Sequence, residues 1–175
     1  MTVRTAGRQR THAVIDSPIG PLTLIAEDGH LAGVLMEVTR YEPDAAALGT
    51  AVASESEPVL AEAASQLGAY FRGELTSFDL PLTLGGTQFQ QSVWAGLRTI
   101  PYGETVSYSE LARRIGQPAA SRAVGLANGR NPVAIVVPCH RVIGADGSLT
   151  GYGGGMERKR FLLGLEQRVS GQTLI

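Results

Sequence analysis

The pair Gly85-Gly86 divides the sequence into two parts whose patterns require different folds. Before it, apolar residues form short runs typical of strands together with one helical repeat, and after it they recur mainly at helical spacing. Residues 1–85 carry 5 Lys/Arg and 11 Asp/Glu, net −6, whereas residues 86–175 carry 10 and 5, net +5. We therefore expect two domains, 1–85 and 86–175. The basic part offers a face for phosphates, although randomly scattered surface charge would give the same balance.

A β-hairpin is expected in the amino-terminal part. Residues 21–27 and 30–38 are rich in Leu, Ile and Val, and the intervening Asp28-Gly29 is typical of tight hairpin turns. Ser17-Pro18 indicates another turn just before the first strand. Residues 41–57 are small and polar, which predicts a loop or linker.

A helix should follow the linker, because apolar residues repeat at helical spacing over 59–71 and Gly73 is a natural stop. A short extended piece, 78–84, ends this part of the chain. The carboxyl-terminal part then opens on a helix, where Thr87 and Gln90 fit a capping box.

Two short helices with a break between them form the centre of the second part. Ser107 and Glu110 fit a second capping box that opens a helix over 108–115, and residues 116–118 (Gly-Gln-Pro) end it. A further helix is expected over about 119–128. The arrangement is typical of a helix-turn-helix, although many helical hairpins never touch DNA. The small side chains of the second helix suit either tight packing or entry into a narrow groove.

Cys139 is the only cysteine, so no disulfide can form within the chain. Only three histidines accompany it, which makes a zinc site improbable. Cys139 follows an apolar run, 133–137, that predicts a buried strand. The thiol is therefore either inert core structure or a reactive group. A glycine-rich loop and a last helix, 156–167, complete the chain.

The neighbours of Cys139 are suited to ionising a thiol. His140 follows it directly, and Arg141 adds a cation. Adjacent side chains of a strand point to opposite faces, so His140 needs a bend or a bridging water to reach the sulfur. An acid should orient the imidazole, and Glu166 and Glu110 are both candidates by residue type. A cysteine hydrolase would share this outline.

The run from Asn131-Pro132 through Ile135-Val136-Val137-Pro138-Cys139-His140-Arg141-Val142-Ile143 resembles the active-site signature of the O6-alkylguanine-DNA alkyltransferases. Further motifs resemble the same family in order and spacing, so the resemblance covers residues 86–166. They are Phe89-Gln90-Gln91-Ser92-Val93-Trp94, Ile100-Pro101-Tyr102-Gly103-Glu104-Thr105, Ser107-Tyr108, Ser121-Arg122-Ala123-Val124-Gly125 and Gly151-Tyr152-Gly153-Gly154-Gly155. The turn at residues 17–20 and the strands after it resemble the family's amino-terminal domain.

The resemblance implies a mixed α/β fold of the α+β type. It has a small ribonuclease-H-like sheet domain with a flanking helix, and a mainly helical domain with a helix-turn-helix of the winged type. It also implies roles for single residues. Cys139 would accept the alkyl group, with His140 as a water-mediated base oriented by Glu166. Tyr108 would donate a proton to the departing guanine and help rotate the nucleotide, and Arg122 would fill the gap left by the extruded base.

The remaining implied roles concern the turn, the groove and the pocket. Asn131 would brace the turn between the recognition helix and the active-site segment. Contacts with DNA would come from the start of the second short helix, at Ala119, Ala120, Ser121, Ala123 and Gly125. The pocket for the base would be lined by Val142, Tyr152, Gly153 and Gly154.

The implied function is DNA repair by direct reversal. One alkyl group passes irreversibly from O6-alkylguanine, or O4-alkylthymine, in duplex DNA to the cysteine after base flipping. No cofactor or metal is expected, and the partner is double-stranded DNA, bound by a monomer that can assemble cooperatively. A cytoplasmic location without a membrane span is expected. A lesion-binding protein without chemistry is the alternative from another class, but relatives of that kind lack the cysteine.

Overall fold

The computed structural model describes residues 8–37, 43–149 and 151–171. The amino-terminal part contains one four-stranded sheet in the order β3-β2-β1-β4. Antiparallel pairs join β1 to β2 and β2 to β3, and β4 runs parallel to β1. The strands are β1 (Arg10–Ile15), β2 (Leu22–Glu27), β3 (His30–Met36) and β4 (Thr50–Ala51).

The predicted hairpin is confirmed as β2 and β3. Asp28 and Gly29 both have positive φ, 50° and 78°, as a tight hairpin turn of the mirror-image type requires. The turn at Ser17 is also present, closed by a 3.1 Å bond from the amide of Gly20 to the carbonyl of Ser17. Val38, at the end of the predicted second strand, lies outside the described residues.

The interpretation of residues 41–57 as a loop or linker is wrong for its described part, 43–57. This segment forms helix α1 (Ala45–Leu48), strand β4 and a 3₁₀ turn at Ser54–Ser56. Strand β1, which pairs with β4, was also not predicted. Both strands owe their conformation to sheet partners rather than to their own side chains, because β-propensity depends strongly on context.

The predicted helix is confirmed as α2 (Pro58–Phe71), and Gly73 follows it with φ 75°. Its apolar face packs on the sheet, with Leu60 and Leu67 fully buried. The extended piece 78–84 runs beside β3, where Leu31 bonds through its amide to Pro81 and through its carbonyl to Thr83. The amino-terminal part is thus a small sheet covered by helix α2.

The carboxyl-terminal part is mainly helical. Its helices are α3 (Gln88–Leu97), α4 (Tyr108–Arg114), α5 (Ser121–Gly129) and α6 (Met156–Ser170). The capping box of Thr87 and Gln90 is confirmed. The indole of Trp94 donates a 2.9 Å bond to the carbonyl of Ala127, which fixes α5 against α3. Within the described ranges, no helix is both long and apolar enough to cross a membrane.

The helix-turn-helix is present, with corrections at its ends. Helix α5 begins at Ser121 rather than at 119, so Ala119 and Ala120 precede it. Only half of the second capping box forms. The hydroxyl of Ser107 accepts from the amide of Glu110, but the Glu110 carboxylate bonds Arg113 and Arg114.

The strand predicted over 133–137 is wrong. Ile135 has φ 72°, and a 3.0 Å bond from the amide of Val137 to the carbonyl of Val133 closes the segment into a tight turn. An unbroken apolar run shows only that residues are buried, and a buried turn has the same composition. Two short elements follow this turn: a 3₁₀ turn, Cys139–Arg141, and strand β6 (Val142–Ile143), which pairs in parallel with β5 (Val106–Ser107).

Candidate active site

Cys139 lies on the 3₁₀ turn, at the wall of a cavity of about 350 Å³. This volume falls within the usual range of small-molecule sites. The cavity lies between the two parts of the chain, with Met36 and its neighbours in β3 on one side and Asn131 and Tyr152 on the other. Cys139 is only 6% exposed, so its sulfur meets a shaped pocket rather than bulk solvent.

His140 and Glu166 form a buried pair beside the cysteine. Nε2 of His140 lies 3.1 Å from Oε1 of Glu166, and both side chains are inaccessible to solvent. The 3₁₀ turn, rather than a strand, places consecutive side chains about a third of a turn apart. Cys139 therefore faces the cavity while His140 turns inward to helix α6.

Arg141 and Glu166 form an ion pair in the same buried region. Nε of Arg141 donates to both carboxylate oxygens at 3.0 and 3.1 Å, and Nη1 donates to the carbonyl of Ile100 at 2.7 Å. Burial alone would raise the pKa of Glu166, but its bonds and charge interactions with His140 and Arg141 lower it to about 2. The carboxylate is therefore ionised at neutral pH.

The imidazole of His140 is neutral and has one nitrogen available. Burial lowers its pKa, and the carboxylate of Glu166 opposes this only in part. The neutral tautomer that donates from Nε2 to Glu166 leaves Nδ1 as an acceptor. Among the described residues Nδ1 has no hydrogen-bond partner, although it is buried. It can therefore receive a proton.

The thiol of Cys139 is protonated at rest because burial raises its pKa. Asn131, the charge of Lys159 and Tyr152 act in the opposite direction. Lys159 is itself fully buried, and Nζ donates a 2.6 Å bond to the carbonyl of Val142. Burial lowers the pKa of Lys159 to about 8, so a cation is still present near the sulfur at neutral pH.

Asn131 ties together the turn that carries the cysteine. Its Nδ2 donates to the carbonyl of Val137 at 2.8 Å, and its Oδ1 accepts from the amide of Val133 at 3.0 Å. Asn128, at the end of α5, adds a long 3.4 Å bond to the carbonyl of Cys139. Side chains at the end of α5 and just after it thus position the turn that carries Cys139.

Helix α5 presents a surface of small side chains around one long cation. Arg122 and Ala123 are exposed, as is Ala119 just before the helix, while Ala120, Ser121 and Gly125 are half-buried. Leu126, for which the sequence predicted no role, is 65% exposed on the same helix. The surface suits a groove that requires close approach.

Tyr108 links this helix to the pocket. A Cβ built on Gly125 would lie 3.7 Å from the Tyr108 ring, and one on Gly151 would lie 3.4 Å from its hydroxyl. Of the residues expected in the pocket, Tyr152, Gly153 and Gly154 line the cavity. The expectation that Val142 lines the pocket is wrong for this cavity, because Val142 is fully buried outside its lining and its carbonyl is bonded to Lys159.

The two carboxylates that residue type offered as partners of His140 occupy different places. Glu110 lies on the surface and pairs with Arg113 and Arg114, whereas Glu166 bonds His140. Among the described residues, no three His, Cys, Asp or Glu side chains group closely enough to hold a metal ion.

Comparison with known proteins identifies this combination of fold and site. A family model described as the DNA binding domain of 6-O-methylguanine DNA methyltransferase matches residues 88–168, and the ribonuclease-like domain of the same family matches residues 11–84. The chain belongs to the 6-O-methylguanine DNA methyltransferase family.

Individual relatives of this methyltransferase align over nearly its whole length. The methylated-DNA–protein-cysteine methyltransferase of Mycolicibacterium paratuberculosis is 56% identical over 93% of this chain and 96% of its own. That of Methanosarcina acetivorans is 52% identical over 89% and 97%. Among solved structures, Mycobacterium tuberculosis OGT in complex with DNA superimposes with a TM-score of 0.85 at 56% identity, covering 91% of this chain and 94% of that one.

For two residues of this candidate site the sequence predicted no role. Lys159 lies seven residues before Glu166 on α6, so helical spacing alone places both on one buried face. Tyr70 is the second, because its hydroxyl lies 3.3 Å from Oε1 of Glu166. Its position on the apolar face of α2 predicted only core packing, and no local signal connects it with a residue 96 positions away.

Proposed function

We propose that this methyltransferase repairs duplex DNA by moving the alkyl group of O6-alkylguanine, and of O4-alkylthymine, irreversibly onto Cys139. One observation carries the proposal. The sulfur borders a cavity large enough for a small molecule, and the neutral His140 next to it is held by an ionised Glu166. A pocket, a nucleophile, a base and an orienting acid therefore occur together.

The lesion must leave the helix to reach the sulfur. A stacked base is inaccessible to a side chain, so the nucleotide is flipped out at a cost of a few kcal/mol. The small residues of α5 allow close approach to the duplex, and the exposed Arg122 fills the vacated space with a planar cation. Tyr108, between α5 and the pocket loop, guides the rotating nucleotide.

Chemistry then proceeds by one displacement. The Cys139 proton passes to Nδ1 of His140 through a bridging water, and Glu166 stabilises the imidazolium. The sulfur attacks the saturated alkyl carbon, the C–O bond breaks, and guanine leaves with the electron pair. Tyr108 donates a proton to the departing base, and the proton taken up by His140 passes through water to the tyrosinate. The product is a thioether, which is a poor leaving group, and each molecule acts once.

The test is the mass of the protein after reaction. Incubation with duplex DNA containing O6-methylguanine should add about 14 Da, one methylene equivalent, to the peptide bearing Cys139. The Cys139→Ser variant should bind the duplex and gain no mass. Repeated turnover on esters would support a cysteine hydrolase instead, and binding without mass gain would support a lesion-binding protein.

The remaining parts of the proposal concern assembly and location. We propose a cytoplasmic monomer that binds DNA cooperatively and whose domains meet at residues 85 and 86. Sedimentation of the free protein should give the mass of one chain, and titration of a long duplex should give a sigmoidal isotherm. A hyperbolic isotherm would contradict cooperativity.

A further inference from the structure

Tyr70 connects the amino-terminal sheet domain to the reaction centre. It lies on α2, while Glu166 lies on α6 at the other end of the chain. The hydroxyl of Tyr70 donates to Oε1 of Glu166 at 3.3 Å, and both side chains are fully buried. The oxygen that accepts from Tyr70 is the one that accepts from Nε2 of His140. Nε and Nη2 of Arg141 also donate to this oxygen, so Tyr70, His140 and Arg141 share one acceptor atom.

We propose that Tyr70 is a positioning residue for alkyl transfer, supplied by the amino-terminal part, which donates a hydrogen bond to the Glu166 carboxylate and thereby moderates its interaction with His140. The inference rests on the proposed function and assigns the sheet domain a direct part in it. Tyr70 is not among the residues that line the cavity, and its hydroxyl bonds Glu166, so it acts through that carboxylate.

The direction of the hydrogen bond is settled by the surroundings of the phenol. Burial raises the pKa of Tyr70 far above its ordinary value, so the hydroxyl keeps its proton and donates to the carboxylate. Aromatic neighbours fix the ring: Phe71 and Phe78 lie with centroids 5.4 Å away, and Tyr102 at 6.2 Å. A ring held on three sides cannot swing its hydroxyl away from Glu166.

Sharing of Oε1 has a consequence for the proton on His140. A donor on the carboxylate withdraws part of its negative charge, which weakens its hold on the imidazolium. The other groups that act on this imidazole are Arg141 from its own turn and Lys159 from α6, and both oppose a second positive charge. Tyr70 thus helps to keep His140 neutral until the thiol gives up its proton.

The aromatic cluster offers a matched control. Tyr102 packs against Tyr70, and its ring lies 5.5 Å from Cζ of Arg141. Its hydroxyl is buried and has no hydrogen-bond partner among the described residues. Tyr70→Phe and Tyr102→Phe therefore each delete one buried phenol oxygen from the same cluster, but only the first removes a bond to Glu166.

The experiment is the pH dependence of the single-turnover rate on duplex DNA containing O6-methylguanine. In Tyr70→Phe the acid limb should move to higher pH by about half a unit to one unit, because Glu166 then holds the His140 proton more strongly. Tyr102→Phe should keep the wild-type limb. Thermal melting of both variants shows whether each is folded at the assay temperature.

Three outcomes overturn the inference. They are a Tyr70→Phe profile that overlays the wild-type curve, a uniform rate loss without movement of the limb, and equal shifts in both variants. Failure of the proposed function is separate, since it would appear as no mass gain in the wild-type protein itself. If Tyr70→Phe is too unstable to assay, Tyr70→Met, which also lacks the hydroxyl, takes its place in the same comparison.

Discussion

Nε2 of His140 and Oε1 of Glu166 lie 3.1 Å apart, although 26 positions separate the residues in sequence. Neither side chain is accessible to solvent, and Arg141 shares the same carboxylate. A buried carboxylate with these partners should contribute both to the proposed catalysis and to folding. The folding contribution can be measured separately, because acid protonates Glu166 and the resulting loss of unfolding free energy is seen in denaturation experiments.

Acid should weaken the fold through Glu166 in a defined pH window. Its pKa is depressed to about 2 in the folded protein, so its stabilisation is complete above the unfolded value near 4.5 and is lost as pH falls toward 2. The shift corresponds to about 3 kcal/mol of unfolding free energy. Urea denaturation from pH 6 to pH 2.5 measures this loss.

The Glu166→Gln variant should be less stable at neutral pH, because Arg141 is left buried and unpaired, yet its stability should fall less below pH 4.5. Glu110→Gln is the control, since solvent screens its surface pairs and the acid profile should stay close to that of the wild type. If the unfolding free energies of the wild type and Glu166→Gln fell in parallel with pH, the assignment of the acid-sensitive stabilisation to Glu166 would be contradicted.

Loss of the buried cation should make the thiol harder to ionise. In Lys159→Met the pKa of Cys139 should rise, because the charge that favours the thiolate is gone. At pH 7, alkylation by iodoacetamide should then be about threefold or more slower, which corresponds to half a pKa unit. The difference should be confined to pH below about 8, where Lys159 is charged. Arg160→Met removes an exposed cation from the same helix, and its alkylation rates should follow those of the wild type. If all three proteins gave the same dependence of alkylation rate on pH, the proposed effect of Lys159 on the thiol would be refuted.

Removal of the Asn131 amide should loosen the turn that carries Cys139. Asn131→Ala deletes bonds to the carbonyl of Val137 and the amide of Val133. The amide of Val133 is left without this partner, while the carbonyl of Val137 keeps its bond from the amide of Cys139. We expect a loss of about 2–3 kcal/mol in unfolding free energy and slower methyl transfer. Urea denaturation with Gln117→Ala, an exposed substitution, as the control measures the first effect. Unchanged stability would mean that the turn does not depend on these bonds.

Arg122 should matter for duplex DNA and not for the isolated base. In Arg122→Ala, transfer from O6-methylguanine in a duplex should fall about 10- to 100-fold, because the variant no longer offsets part of the flipping cost. Transfer from the free O6-methylguanine base needs no flipping and should change less than about twofold. Arg168→Ala removes an exposed cation from α6 and serves as the control. Equal losses on both substrates would place Arg122 in the chemistry rather than in flipping.

Much of the fold was predictable because its signals are local. The hairpin at Asp28-Gly29, the stop at Gly73 and the cap at Thr87 each depend on a few adjacent residues. Strands β1 and β4 were missed because each is a strand only through its partner. Residues 133–137 were assigned to a strand because apolar composition reports burial, and it does not report the sign of φ at Ile135.

By itself, the sequence determined the chemistry available to this protein: one cysteine, a histidine beside it, and motifs that resemble one family of DNA alkyltransferases. The resemblance already favoured Glu166 as the acid, but only the tertiary structure brought its carboxylate to His140 and placed Tyr70 and Lys159 beside the same centre. The reason is physical. A helical or turn signal acts over a few residues, whereas proton transfer depends on atoms within about 3 Å that the chain brings together only when it folds.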